Sequence, residues 1–370
     1  MNFVSVTPKF AAMTPKTRMP IRRFLVLALL LVAPTRGMAF NLQFTLVDNA
    51  LGFTPTQRAL VQEAVDRAEA MWETVLRGYQ PGITIPVVPI TVIPTTSGLA
   101  SATFSSTTNQ GGFTLTTSGF VNINVNEIVN FSNWQGPGAN GLNFLDELIA
   151  HEVGHALGIG TLWTANGVYS GNFQYTGQYG VAAYQAEFDP LATFVPVENA
   201  GGPGTPHSHW DQMMRSSGEA GDPNGPGGPW VLSPLTGVVD PWGRDRAFEL
   251  MTGAIDPDHI EPFVSRTTVQ SMRDLGYLVN EFEDVNGDGV IDHLDRDVIL
   301  ANMGAMGLQV DSMRFGDVNR DRTVDHIDLA LWRAAAGVPE PGTTILALLA
   351  ATGLLVRRKS SAPGSARGSV

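Results

Sequence analysis

The 370-residue chain has no cysteine. That absence removes disulfides, thiolate nucleophiles and cysteine-ligated zinc, and leaves core burial or bound metal as sources of stability. Charge is sparse and lopsided: 16% of residues are charged, and 23 Lys+Arg stand against 35 Asp+Glu, for a net charge of −12. No basic footprint exists for nucleic acid, so that class of partner is excluded. Long apolar runs are also scarce. The two most apolar stretches, residues 24–33 and 343–356, are short for a full membrane span. What is present is an apolar fraction of 43%, the composition of a folded globular protein with room for more than one domain.

Both ends read as addresses. Arg22 and Arg23 precede the apolar run 24–33, and Gly37-Met38-Ala39 supplies small residues at a cleavage site, the order of a secretory signal over residues 1–39. At the other end Val338-Pro339-Glu340-Pro341-Gly342 is followed by an apolar stretch and then Arg357-Arg358-Lys359. This order over residues 338–370 resembles the PEP-CTERM sorting tail of Gram-negative bacteria. The resemblance implies transient membrane anchoring, processing by an exosortase-type sorting enzyme, and delivery to the cell surface or extracellular matrix.

Residues 40–280 form one region without an obvious linker. Apolar residues at helical spacing from Leu60 to Val75, with Thr54 or Thr56 as cap, predict an amphipathic helix over 54–76. Residues 83–94 are rich in Ile and Val but broken by prolines, which predicts edge strands. The alternation in Phe120-Val121-Asn122-Ile123-Asn124-Val125 predicts a half-buried strand. A helix is expected to begin near Asn143. Residues 164–240, rich in Gly and Pro, read mostly as loops.

The helix from Asn143 carries His151-Glu152-Val153-Gly154-His155. Histidines four apart share one helix face, so both imidazoles can reach one zinc ion, and the intervening Glu152 is the candidate general base. Gly158 is placed to turn the chain out of that helix. Glu249-Leu250-Met251-Thr252-Gly253 resembles the Met-turn of metzincin peptidases, and together with Trp163, His209-Trp210 and Asp274-Leu275-Gly276-Tyr277 the region 142–278 looks like a leishmanolysin-type metallopeptidase. The resemblance implies an α+β zincin catalytic domain with a mixed sheet and an active-site helix. It implies hydrolysis of a protein or peptide substrate by zinc-activated water with Glu152 as base. It also makes Met251 a structural floor below the metal, and lets the strand near residues 120–125 edge the cleft. The position six beyond His155 is Thr161, which is not a usual zinc ligand. The leishmanolysin-like pattern delays the third histidine behind an insertion, which points to His209. His207 is the near rival, a carboxylate such as Glu187 or Glu219 is a further alternative, and His259 reads as a loop residue. The competing function is a surface or matrix binding protein that keeps the scaffold without its catalysis.

Beyond Asn280 a repeat appears over residues 281–337. Asp284, Asn286, Asp288, Asp292 and Asp295 take the first, third, fifth, ninth and twelfth places of a loop, with Gly289 at the sixth and the Val290 carbonyl at the seventh. This hard-oxygen set suits Ca2+. The second copy offers Asp317, Asn319, Asp321, Thr323, Asp325 and Asp328, but has Arg322 at the glycine place. A strained turn and a nearby cation, hence weaker binding, are expected there. Aspartate at the twelfth place resembles dockerin repeats, and Val298-Ile299 and Leu331-Trp332 fit one helix per repeat in a small all-α domain. That domain either docks a cohesin-like partner or serves as a calcium-stabilised spacer, and the spacer is favoured.

Overall fold

The computed structural model describes residues 39–47, 50–135, 141–199, 201–212, 238–253 and 262–338. The proposed secretory signal and sorting tail, with Glu219 and His259, lie outside them, save for a residue or so at each inner end. Among the described residues no helix is long and apolar enough to cross a membrane.

Strand β1 (Leu42–Leu46) leads into helix α1 (Pro55–Val75). Thr54 caps it: its side chain accepts from the Gln57 N–H while the Gln57 side chain accepts from the Thr54 N–H, which satisfies two otherwise orphaned donors. The buried face is Val61, Ala64, Val65, Ala68, Met71, Trp72 and Val75. Leu60, expected on that face, is half-buried and Val61 takes its place. Strand β2 (Leu76–Tyr79) follows directly, then β3 (Val88–Thr95), β4 (Ala100–Gln110) and β5 (Phe113–Asn124). The main sheet has the order β1-β3-β5-β4, with β1, β3 and β5 parallel and β4 antiparallel to β5.

Two strand expectations are corrected here. The proline-rich segment forms β3, an interior strand. Pairing with β5 begins at Ile90↔Gly119 and pairing with β1 ends at Leu46↔Val92. N–H groups alternate sides along a strand, and Val88 donates toward β1 at Asn41. Pro89 therefore faces β5 before their first pair and Pro94 faces β1 beyond their last, so neither proline removes a ladder bond. The second correction concerns residues 120–125: Phe120 to Asn124 belong to β5, which is enclosed by β3 and β4, and the edge on that side of the sheet is β4.

Helix α2 (Ile128–Ser132) leads to α3 (Leu145–Leu157), which carries the histidine motif and is buried along its whole length. It packs against α1 and beneath β4 and β5; Trp72 donates its indole N–H to the Ala150 carbonyl at 2.9 Å. The stretch expected as loops contains β6 (Gln174–Tyr175), α4 (Gln178–Glu187) and β7 (Val195–Pro196). The N-terminus of α4 is held from a distance: Asp274 accepts from the Tyr179 and Gly180 N–H groups. Helix α5 (Arg266–Ser271) and β8 (Tyr277–Val279) close this part, with β8 antiparallel to β2.

The repeat region contributes α6 (His293–Ala301) and α7 (His326–Ala335), one helix per repeat. Ile299 and Trp332 are buried, and Val298 and Leu331 half-buried. The architecture is thus mixed α/β with a C-terminal helical region. One hydrophobic cluster runs from Trp72 and Met251 through Val310 and Met313 to Ile299 and Trp332. The repeats lie directly on the α/β part.

Candidate metal centre

Three elements converge on one point. Helix α3 places His151 and His155 one turn apart. Gly158, with φ 126°, ends the helix as expected, its N–H bonded to the Gly154 and His155 carbonyls. The segment around His209 arrives as a short extended piece between two others: Glu198 donates to the His209 carbonyl, and Trp210 donates to the Met251 carbonyl. Trp210 stacks on Trp163 with centroids 4.6 Å apart.

The three Nε2 atoms lie 3.0 Å (His151–His155), 2.9 Å (His155–His209) and 3.2 Å (His151–His209) apart. Each Nδ1 meets a backbone carbonyl: Leu250 at 2.6 Å, Ile159 at 2.9 Å and Thr205 at 2.8 Å. A carbonyl only accepts, so each Nδ1 carries the proton and each Nε2 presents a lone pair. Three lone pairs facing one another repel unless a cation sits between them. Tetrahedral ligands at the usual Zn–N length of about 2.0–2.1 Å would be about 3.3 Å apart, close to the observed separations. Burial pushes the imidazole pKa values down, to about 4 for His151 and about 3 for His209, and His155 is lowered further by its two neighbours. The neutral, ligating form is favoured throughout. Among the described residues these three side chains lie close enough together to hold one metal ion.

Glu152 lines the same cleft of about 410 Å³, together with Thr161, Thr252, Leu99 and the first residues of β4, Ala100 to Ala102. Its Oε2 is buried without a hydrogen-bond partner, and burial pushes its carboxyl pKa up to about 8. Thr161, at the place six beyond His155, donates to the His155 carbonyl. His207 is exposed, bonds the Tyr169 hydroxyl and stacks on Phe173. Glu187 is buried against Arg320 and the Thr267 N–H. Of the alternatives for the third position, only His209 comes together with His151 and His155 among the described residues.

Met251 is fully buried below α3, and a Cβ on Gly154 would lie 2.8 Å from its sulfur. Two supports escaped the sequence reading. Gly160 has φ 71°, and a Cβ there would overlap the Ser208 carbonyl, so this glycine admits the loop that brings in His209. Glu249 is buried and accepts from Met251 N–H at 2.6 Å, Ser265 N–H at 3.1 Å and the hydroxyls of Ser265 and Thr268, which fixes the methionine turn. A second glycine two places after Gly158, and an acid directly before Leu250-Met251, were the available signals.

The two repeat loops are built alike. Asp284 accepts from Asp288 and Gly289 N–H as Asp317 does from Asp321 and Arg322. Asp288 and Asp321 accept from Val290 and Thr323 N–H. Asn286 and Asn319 N–H donate to the twelfth-place Asp295 and Asp328. Asp292 and Asp325 cap the following helices, and the twelfth-place carboxylates complete each capping box. Burial raises the carboxyl pKa of Asp284, Asp317 and Asp328, the last to about 6, and neighbouring carboxylates raise them further. Mutually repelling carboxylates with an asparagine and a carbonyl at fixed places fit a hard cation of calcium's type. Residue 322 carries the expected strained turn, φ 68°, but its guanidinium does not sit in the loop; it reaches Glu147 of α3 at 2.7 Å.

No curated protein matches the chain. Residues 282–335 match the Dockerin type I domain, a family whose members bind calcium and cohesin partners.

Proposed function

We propose that this protein is an exported zinc-dependent endopeptidase of the metzincin clan, leishmanolysin-like in the spacing of its ligands. The observation that carries the reading is the set of three buried Nε2 lone pairs, 2.9–3.2 Å apart, beside a buried carboxylate with an unpartnered oxygen. Zinc held there would supply Lewis acidity toward a water and a scissile carbonyl. The chain's own residues do the rest. The three backbone carbonyls hold the imidazoles in the ligating tautomer. Glu152 Oε2, buried without a protein partner, would accept a proton from water and return it to the leaving amine. The outer edge of β4 pairs with an extended substrate. A scaffold protein that only bound surfaces would have no use for a desolvated base beside the metal.

The secretory order at residues 1–39 and the PEP-CTERM-like order at 338–370 support export and delivery to the cell surface or matrix. That dockerin domains occur in extracellular or cell-surface proteins agrees with it. The test is cleavage of a peptide library with added zinc. Glu152→Ala is expected to keep a full zinc complement and lose cleavage by at least about 100-fold, the scale of general-base catalysis. Undiminished cleavage by that variant would remove the mechanism.

A further inference from the structure

The two repeat loops differ at five of their twelve places, and at two of these a glycine of loop one is an arginine in loop two. The fourth and sixth places of loop one are Gly287 and Gly289, with φ 70° and 87°. The same places in loop two are Arg320 and Arg322, with φ 64° and 68°. Both arginines hold a left-handed backbone that favours glycine, so the loop geometry is kept at the expense of strain. Both side chains leave the loop and enter the α/β part. Arg322 reaches Glu147 Oε1 at 2.7 Å and the Pro262 carbonyl at 3.0 Å. Arg320 is 5% exposed; it reaches Glu187 Oε1 at 3.3 Å and the Val264 carbonyl at 2.6 Å. Glu147 is fully buried in the first turn of α3, one turn before His151.

We propose that the second repeat loop is an internal brace: held in shape by calcium, it fixes Arg320 and Arg322 against Glu187 and Glu147 and so mounts the metal-bearing helix α3 on the repeats. The backbone N–H of Arg322 bonds Asp317, a calcium-type ligand, while its guanidinium bonds Glu147. One residue therefore joins the cation site to the catalytic helix. Without the cation, the clustered carboxylates of loop two repel, the strained turns relax, and the arginines lose their aim. Loop two thus faces inward to its own chain and is not a free surface for a separate protein.

The inference needs neither zinc nor peptide cleavage, so its test is separable from the peptidase reading. The full chain, prepared free of calcium, is titrated with CaCl2 while heat of binding and amide hydrogen exchange are followed. In the wild type, calcium is expected to slow exchange in residues 143–149 by about tenfold, as a linked local opening is suppressed. Arg322→Gly gives loop two the glycine of loop one. It is expected to bind calcium at both loops and to protect residues 317–328, while protection of 143–149 no longer depends on calcium. Glu147→Gln, which removes the partner charge and leaves the loop untouched, is expected to weaken the same dependence should the glycine variant not fold. Exchange in 143–149 indifferent to calcium in the wild type would overturn the proposal. So would full calcium-dependent protection surviving in a folded variant, or no heat of calcium binding.

Discussion

Gly154 is the residue on which the helix, the methionine turn and α1 all close. An added Cβ would stand 2.8 Å from Met251 Sδ and 3.0 Å from Trp72 Cζ2. Alanine would gain about 1 kcal/mol of helix propensity, but overpacking a filled core costs about 1–3 kcal/mol. Met251 and Trp72 are both fully buried and have nowhere to retreat. Gly154→Ala is therefore expected to be destabilised by up to about 2 kcal/mol, read as a lower unfolding midpoint, with weaker zinc retention because Met251 underlies the triad. The histidines separate just as cleanly. His209→Ala removes one of three converging lone pairs and is expected to lose bound zinc on dialysis. His207→Ala removes an exposed ring from Tyr169 and Phe173 and is expected to keep it. Zinc content of the two purified variants checks this, and the opposite pattern would reassign the ligand.

At the scale of elements, β4 is one of the two edge strands of the main sheet among the described residues, and the one that borders the cleft. Asn124 donates to the Leu99 carbonyl, so by alternation Ala100 and Ala102 turn their N–H and carbonyl groups outward, into the cleft they line. Ala102→Pro deletes one outward donor and no ladder bond. It is expected to cost under about 1 kcal/mol in stability, yet raise KM for peptides about tenfold if substrate adds as a strand. An unchanged KM would put the substrate elsewhere. Helix α3 was legible because its ligand spacing and its terminating glycine are local. β4 was not legible: its Ser- and Thr-rich sequence is mostly exposed or half-buried, so no alternation marks it. Helix α4 was hidden for another reason. Its orphan N–H groups are satisfied by Asp274, 95 positions beyond Tyr179, and no local cap announces it. The prolines of β3 misled because their cost depends on register, which the segment's own sequence does not contain.

For the whole molecule, the decisive fact is that the repeats do not hang from the α/β part. Two arginines of the second loop, Arg320 and Arg322, cross between them to Glu187 and Glu147. Val310 and Met313 extend the core over Met71 and Leu250 around one small cavity. The arginine pairs are largely buried, and breaking such a pair from one side costs about 3–5 kcal/mol because a charge is left without its partner. Losing the repeats would leave Glu147 and Glu187 in that condition, so the two parts should unfold together. A calorimetric scan of the calcium-loaded chain is expected to give one transition over the described region. A cation that binds only the folded state stabilises it by about 2.7 kcal/mol at a hundredfold excess over its dissociation constant. Calcium removal is therefore expected to lower that single transition by several degrees. Two separate transitions, with only the smaller one sensitive to calcium, would mean that the repeats fold on their own and that the buried arginine pairs contribute little to joining them.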